Sequence, residues 1–99
     1  MPTLVFAKLA INDHIGYSRY VELATPIFLR EKVIIHASDE EPQALSPDMQ
    51  ADKVVLLEFR DHSHFKHFFS QTDYIEVAKI RDAASTISAT VFERFEMPK

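Results

Sequence analysis

A histidine cluster in the second half of the chain is the most conspicuous group of residues that could do chemistry. It lies in residues 61–67 (DHSHFKH), where His64 and His67 are three apart and would share one face of a helix. A zinc site needs at least three protein ligands, and no third ligand is evident beside this pair. We therefore predict no metal and interpret the cluster as the solvated start of a helix, with His64 and His67 as the pair to test.

Charged residues inside otherwise apolar segments are the second group. Lys8 and Glu58 each interrupt an apolar strand, and a period of two places both side chains on the same face of neighbouring strands. A carboxylate in an apolar setting can act as a general base, so Glu58 is a catalytic candidate. His36, beside a polar loop, is the other candidate base. The alternative is structural: a Lys8–Glu58 ion pair near a dimer interface would set the strand register.

The composition excludes several classes of protein. A chain of 99 residues is the size of one domain, which we place at residues 1–99. It has no Cys, which excludes disulfides, thiolate nucleophiles and Cys-bound metals. Its net charge is −4 and its 11 Lys and Arg residues are scattered, so we predict no nucleic-acid partner. Gly16 is the only glycine, which argues against a nucleotide-binding loop and against any cofactor of that class.

No segment predicts a membrane location. No apolar run approaches the roughly 18 residues that a transmembrane helix requires. The N-terminal sequence Met1-Pro2-Thr3 lacks the basic region of a signal peptide. We therefore expect a cytoplasmic protein with no membrane partner.

The elements that position these residues follow from hydrophobic periodicity. Alternating or β-branched segments predict strands at 3–11, 33–37, 53–59 and 87–95, and helical spacing predicts helices over 14–28 and 61–84. The second helical region should break near residues 70–72, and residues 38–52 should form a loop. The order β-α-β-β-α-β predicts an α+β, ferredoxin-like fold with a four-stranded antiparallel sheet.

The strand pattern also predicts a homodimer. Two crossover helices cover only one face of a four-stranded sheet, yet both faces of these strands are apolar. The face that the helices leave open would carry Leu4, Phe6, Val54, Leu56 and Phe92. A second copy of the same sheet, packed face to face, is the simplest cover for such a surface.

Residues 54–95 resemble a domain-of-unknown-function family, DUF1330. The similarity rests on short motifs: Glu58-Phe59 at the end of an apolar strand, then Tyr74, Arg81 and Glu93. The first half agrees in outline through Asn12-Asp13, Gly16-Tyr17 and Tyr20-Val21. The chain departs from the family's pattern at Arg30-Glu31-Lys32, where a Gly pair is usual, and at Gln71-Thr72, where Ser-Pro is common.

This family is similar to the dimeric α+β barrel superfamily, and the resemblance implies a ligand site. Proteins of that superfamily hold small hydrophobic molecules between the sheet and the helices. The residues that could supply polar groups to such a ligand are Tyr17, Tyr20, Tyr74 and Arg81, with Lys8 as a further candidate. Tyrosines at helical spacing are also common core residues.

Two functions follow from these observations. The first is a small-molecule-binding homodimer, which as an enzyme would perform a cofactor-independent oxygenation or isomerisation of a small apolar or aromatic substrate. The second is a non-enzymatic binding or regulatory module whose main interaction is its own dimer interface. An enclosed cavity that contains a polar group of shifted pKa would favour the first, and a filled core the second.

Overall fold

Four strands and three helices make up the part of the chain that the computed structural model describes, residues 1–98. The strands are β1 (Thr3–Ile11), β2 (Ile34–Asp39), β3 (Lys53–Phe59) and β4 (Ser85–Glu93), and the helices are α1 (His14–Arg30), α2 (His62–Ser70) and α3 (Thr72–Ala84). The sheet is antiparallel with the order β2-β3-β1-β4. The predicted ferredoxin-like topology is therefore confirmed, with the second helical region divided at Gln71 as expected.

Aspartate side chains start the two helices that follow β1 and β3. Asp13 accepts a hydrogen bond from the backbone N–H of Gly16 at 3.0 Å, and Asp61 accepts one from His64 N–H at 2.8 Å. Each bond satisfies an N–H group that lacks a partner within its helix. A Cβ atom on Gly16 would lie 2.7 Å from Asp13 Oδ2, so a larger residue there would displace the side chain that caps α1.

Strand pairing extends β2 and shifts β4 relative to the sequence-based boundaries. The strand predicted at 33–37 is Ile34–Asp39, because pairing continues to Asp39 opposite Val54. The strand predicted at 87–95 is Ser85–Glu93, because Ser85 lies opposite Ile11 at the far end of β1. The loop predicted at 38–52 contains a short 3-10 helix, Pro47–Met49.

The two faces of the sheet have different neighbours. The face toward the helices, which we call the inner face, carries the buried side chains Val5, Ala7, Leu9, Leu57 and Phe59. The opposite face, which we call the outer face, carries Leu4, Phe6 and Lys8 of β1. It also carries their partners in register on β3 and β4, which are Val54, Leu56, Glu58, Ser88, Thr90 and Phe92.

An aromatic cluster joins the helices to the inner face. Phe59 and Phe68 are fully buried, and Phe68 stacks on Phe28 of α1 with 5.0 Å between ring centroids. Tyr74 of α3 lies 4.6 Å from Phe68 by the same measure. Burying rings of this size is a main source of stability in a small domain, so the cluster fixes α1 and α3 above the sheet. None of the helices formed by residues 1–98 is long and apolar enough to cross a membrane.

Candidate functional site

A cavity of about 410 Å³ lies between the helices and the inner face of the sheet. Most of its wall is apolar and comes from β1, β3 and α1, for example Ala7, Val55 and Ala24. Ile35 on β2 and Val91 on β4 also line it and are 45% and 40% exposed, so the cavity meets solvent near both edge strands. Its size falls within the roughly 300–1,000 Å³ typical of small-molecule pockets.

Three tyrosines and an arginine form a polar section of this wall. Tyr17, Tyr20, Tyr74 and Arg81 all line the cavity, which brings together four of the five ligand-site residues predicted from the sequence. The hydroxyl groups of Tyr20 and Tyr74 are 2.7 Å apart, and Arg81 Nη1 donates to the Tyr74 hydroxyl at 3.1 Å. Arg81 also binds Asp82 through Nη2 at 3.0 Å.

Burial keeps the phenol groups of Tyr17 and Tyr74 protonated. It raises the pKa of Tyr17 to about 12, with a smaller contribution from Tyr20. Burial also raises the pKa of Tyr74, and the adjacent Tyr20 adds to that effect. Near neutral pH Tyr17 and Tyr74 are therefore hydrogen-bond donors and acceptors, not bases.

Lys53 belongs to the cavity wall and was missed by our interpretation of the sequence. It is the first residue of β3, it is 5% exposed, and its Nζ lies 4.8 Å from the centroid of the Tyr17 ring. Burial lowers the pKa of Lys53, while the charge of Glu40 opposes that shift. The signal was available, because Lys53 is in phase with the inward-facing Val55, Leu57 and Phe59.

Glu58 and His36 lie on the outer face and do not line the cavity. His36 Nε2 is 3.0 Å from Glu58 Oε1, and Arg94 Nη1 donates to the same oxygen at 3.3 Å. His36 sits at the irregularity where the pairing of β2 shifts between Ile35 and Ala37. The two residues predicted as bases are thus brought together, but with the sheet between them and the cavity.

Lys8 lies on the same face of the sheet as Glu58, as the alternation along the two strands predicted. However, Lys8 is in register with Val54, and its ammonium donates to the backbone carbonyl of Asp48. Within residues 1–98 no salt bridge joins Lys8 to Glu58. The expected ion pair is wrong because the register separates the two side chains along the strands.

The two histidines that could share a metal ion, His64 and His67, contact other residues of the protein. His64 is buried; its Nδ1 accepts from Arg60 N–H at 3.0 Å and its Nε2 lies 2.7 Å from the carbonyl oxygen of Glu31. His67 Nε2 is 3.8 Å from Glu31 Oε1. Both nitrogens of His64 are therefore engaged, and residues 1–98 contain no group of three or more side chains placed to hold a metal ion.

Comparison with known proteins identifies a family. The profile of a domain of unknown function, DUF1330, matches residues 2–95. No curated protein matches the chain. Among solved structures, a protein of unknown function from Rhodopseudomonas palustris is 17% identical and aligns with a TM-score of 0.82, over 97% of this chain and 84% of that one.

Two further solved structures share the fold at low identity. SnoaB, a cofactor-independent oxygenase from Streptomyces nogalater, is 13% identical with a TM-score of 0.69, over 97% of this chain and 95% of that one. A dimeric protein of unknown function and ferredoxin-like fold from Bacteroides fragilis is 10% identical with a TM-score of 0.65, over 94% and 96%. At these identities the likeness demonstrates a common fold.

Proposed function

The chain belongs to the DUF1330 family, a domain of unknown function, and we propose a function for it from its cavity. The protein is a homodimer that binds a small apolar or aromatic molecule between the helices and the inner face. It oxygenates or isomerises that molecule without a cofactor. The observation that carries this proposal is an apolar cavity of about 410 Å³ with a few convergent polar side chains.

The polar groups of the cavity suit the orientation of an oxygen-bearing ring. The Tyr20 and Tyr74 hydroxyls form a pair, and Arg81 adds a cation at the same place. In cofactor-independent oxygenation the substrate itself reduces O₂: a CH₂ group becomes C=O, and the second oxygen atom leaves as water. SnoaB, a protein of the same fold, is a cofactor-independent oxygenase, and this supports the reaction class.

The reaction would also need a base, and the two residues that we predicted for this role do not line the cavity. Glu58 and His36 keep the catalytic role that we predicted only if the substrate reaches the outer face, where the two side chains meet at 3.0 Å. The outer face also supports the dimer, since it combines this pair with apolar side chains such as Phe6 and Leu56. A neighbour of the same fold is dimeric, which agrees with a second copy as its cover.

Oxygen uptake with a panel of small naphthols and phenols tests the enzymatic proposal. We expect uptake that persists with a metal chelator present, together with a product whose mass reports oxygen insertion; an isomerase would give a new product of unchanged mass. The variant Ala89→Phe places a ring at the exposed wall of the cavity on β4 and should abolish turnover. The matched control is Ala83→Phe, on the exposed surface of α3, which should retain it.

A binding module is the second candidate, favoured by one observation. Within the described chain, the cavity wall contains no carboxylate and no imidazole that could remove a proton from a ligand. Ligand binding that Ala89→Phe prevents, without oxygen uptake and without any new product across the panel, would establish this function in place of the enzyme.

A further inference from the structure

The charged groups of the cavity are all cationic. Lys53 and Arg81 line it, and the described wall includes no Asp or Glu. Arg81 is already compensated, because its guanidinium contacts Asp82 Oδ1 at 3.0 Å. Lys53 has no such contact: the charge of Glu40 acts on it from a distance, but its ammonium forms no hydrogen bond or salt bridge with residues 1–98 and lies over the face of the Tyr17 ring.

An ammonium group without a carboxylate partner is costly in so buried a position. Lys53 is only 5% exposed. Every fully buried side-chain nitrogen in the described chain has a hydrogen-bond partner, and Lys53 Nζ has none, so Nζ is not fully buried. The Nζ atom therefore keeps some accessible surface, and Lys53 is one of the residues that line the cavity. The position is suited to an anion that arrives with the ligand.

We propose that Lys53 anchors a ligand that carries one acidic oxygen group, a carboxylate or a phenolate-type oxygen, on a flat apolar body. This inference rests on the proposed function, which places the ligand in the cavity. One cation without a directly bound carboxylate calls for a single negative charge. The body of the ligand would lie against the apolar wall and the Tyr17–Tyr20 pair, whose ring centroids are 5.6 Å apart.

Tyr17 strengthens the assignment because it holds the ammonium in place. Its ring face attracts the cation at 4.8 Å, which orients Nζ without neutralising it. At the other end of the tyrosine pair, the guanidinium carbon of Arg81 lies 5.8 Å from the Tyr20 ring centroid. The acidic group should therefore sit at the Lys53 end, and the Tyr20–Tyr74 hydroxyl pair can hydrogen-bond a second oxygen of the ligand.

Two probes of the same shape and different charge test this anchor. Calorimetric titration of the full chain with 2-naphthoate and with 2-naphthamide compares an anion with its neutral analogue. We expect naphthoate to bind about 10- to 100-fold more tightly, the range that a charge-assisted hydrogen bond provides. Lys53→Met should remove the preference, Lys53→Arg should retain it, and Lys66→Met, an exposed lysine on α2, should leave it unchanged.

The outcomes separate this inference from the proposed function. Equal affinity for the two probes, or a preference that survives in Lys53→Met, overturns the anchor while cavity binding stands. Binding of neither probe at millimolar concentration overturns both. Circular dichroism of each variant confirms that the fold is intact, and if Lys53→Met does not fold, the comparison of the two probes on the unaltered chain remains the test.

Discussion

The inner and outer faces of the sheet both carry apolar side chains, but only the inner face is covered within the chain. On the inner face, Leu9 is 2% exposed and Phe59 is fully buried, because α1, α2 and α3 pack over them. On the outer face, Ile34 is 50% and Phe92 is 42% exposed in the single chain. The same alternation of residues thus gives one face an intramolecular cover and a cavity, and leaves the other exposed in the single chain, where we propose that a second copy covers it.

The largest effect should come from placing a charge at the centre of the outer face. Leu56 is opposite Phe6 in the register of β3 and β1 and is half-buried in the single chain. Leu56→Arg would require an arginine to be desolvated in the paired sheets, so the dimer should dissociate. Native mass spectrometry should then show 11.4 kDa in place of twice that mass.

The control for this variant is an exposed apolar residue elsewhere. Leu29 on α1 is 70% exposed, and Leu29→Arg should leave the mass of the assembly unchanged. A wild-type chain that is already monomeric at micromolar concentration would contradict the role assigned to the outer face.

A smaller effect, measured in the Leu56→Arg background, compares one phenylalanine from each face. Phe59→Ala removes a fully buried ring that contacts Phe65 and Phe68, and it should lower the free energy of unfolding by about 3–5 kcal/mol. Phe92→Ala removes a ring that is 42% exposed, and it should cost less than about 1 kcal/mol. Urea denaturation measures both, and equal losses would mean that the two faces are buried alike within one chain.

Much of the fold could be predicted because the residues that alternate along a strand are neighbours in the sequence. The bounds of β1 and β3, Thr3–Ile11 and Lys53–Phe59, agree with the structure. The start of β4 could not be found in this way, since Ser85 is polar and joins the sheet only through its partner Ile11. The end of β2 likewise depends on pairing with β3.

The candidate site was predictable in part for the same physical reason. Tyr17 and Tyr20 belong to the buried side of α1, which helical spacing reveals. The contact of Glu58 with His36 and Arg94 depends on strand register and on a bulge, and neither is visible in local sequence. Lys53 is the instructive case, because strand alternation places it among inward residues even though its side chain is charged.

The smallest effects concern Lys53, which is buried on the inner face, and Glu58, which is buried on the outer face. Lys53 on the inner face has no carboxylate partner, so Lys53→Met should raise the free energy of unfolding at neutral pH. Glu58 on the outer face accepts from Arg94 and contacts His36, so Glu58→Gln should lower the free energy of unfolding, by up to about 1 kcal/mol. In the Leu56→Arg background, urea denaturation should therefore show changes in the free energy of unfolding of opposite sign at the two positions.

The pH dependence identifies the cause of the Lys53 effect. Burial places the pKa of Lys53 in the folded chain below its ordinary value of 10.5, so between the two values the unfolded chain binds more protons. The free energy of unfolding of the wild-type residue should therefore rise with pH across that window. Lys53→Met removes this rise, and its advantage should shrink as the solution becomes alkaline. Urea titrations from neutral pH to pH values near 10.5 measure the difference in free energy of unfolding between Lys53→Met and the wild type. If that difference does not change with pH, the stabilisation comes from packing of the methionine. The lysine ammonium would then lie in solvent and not against the cavity.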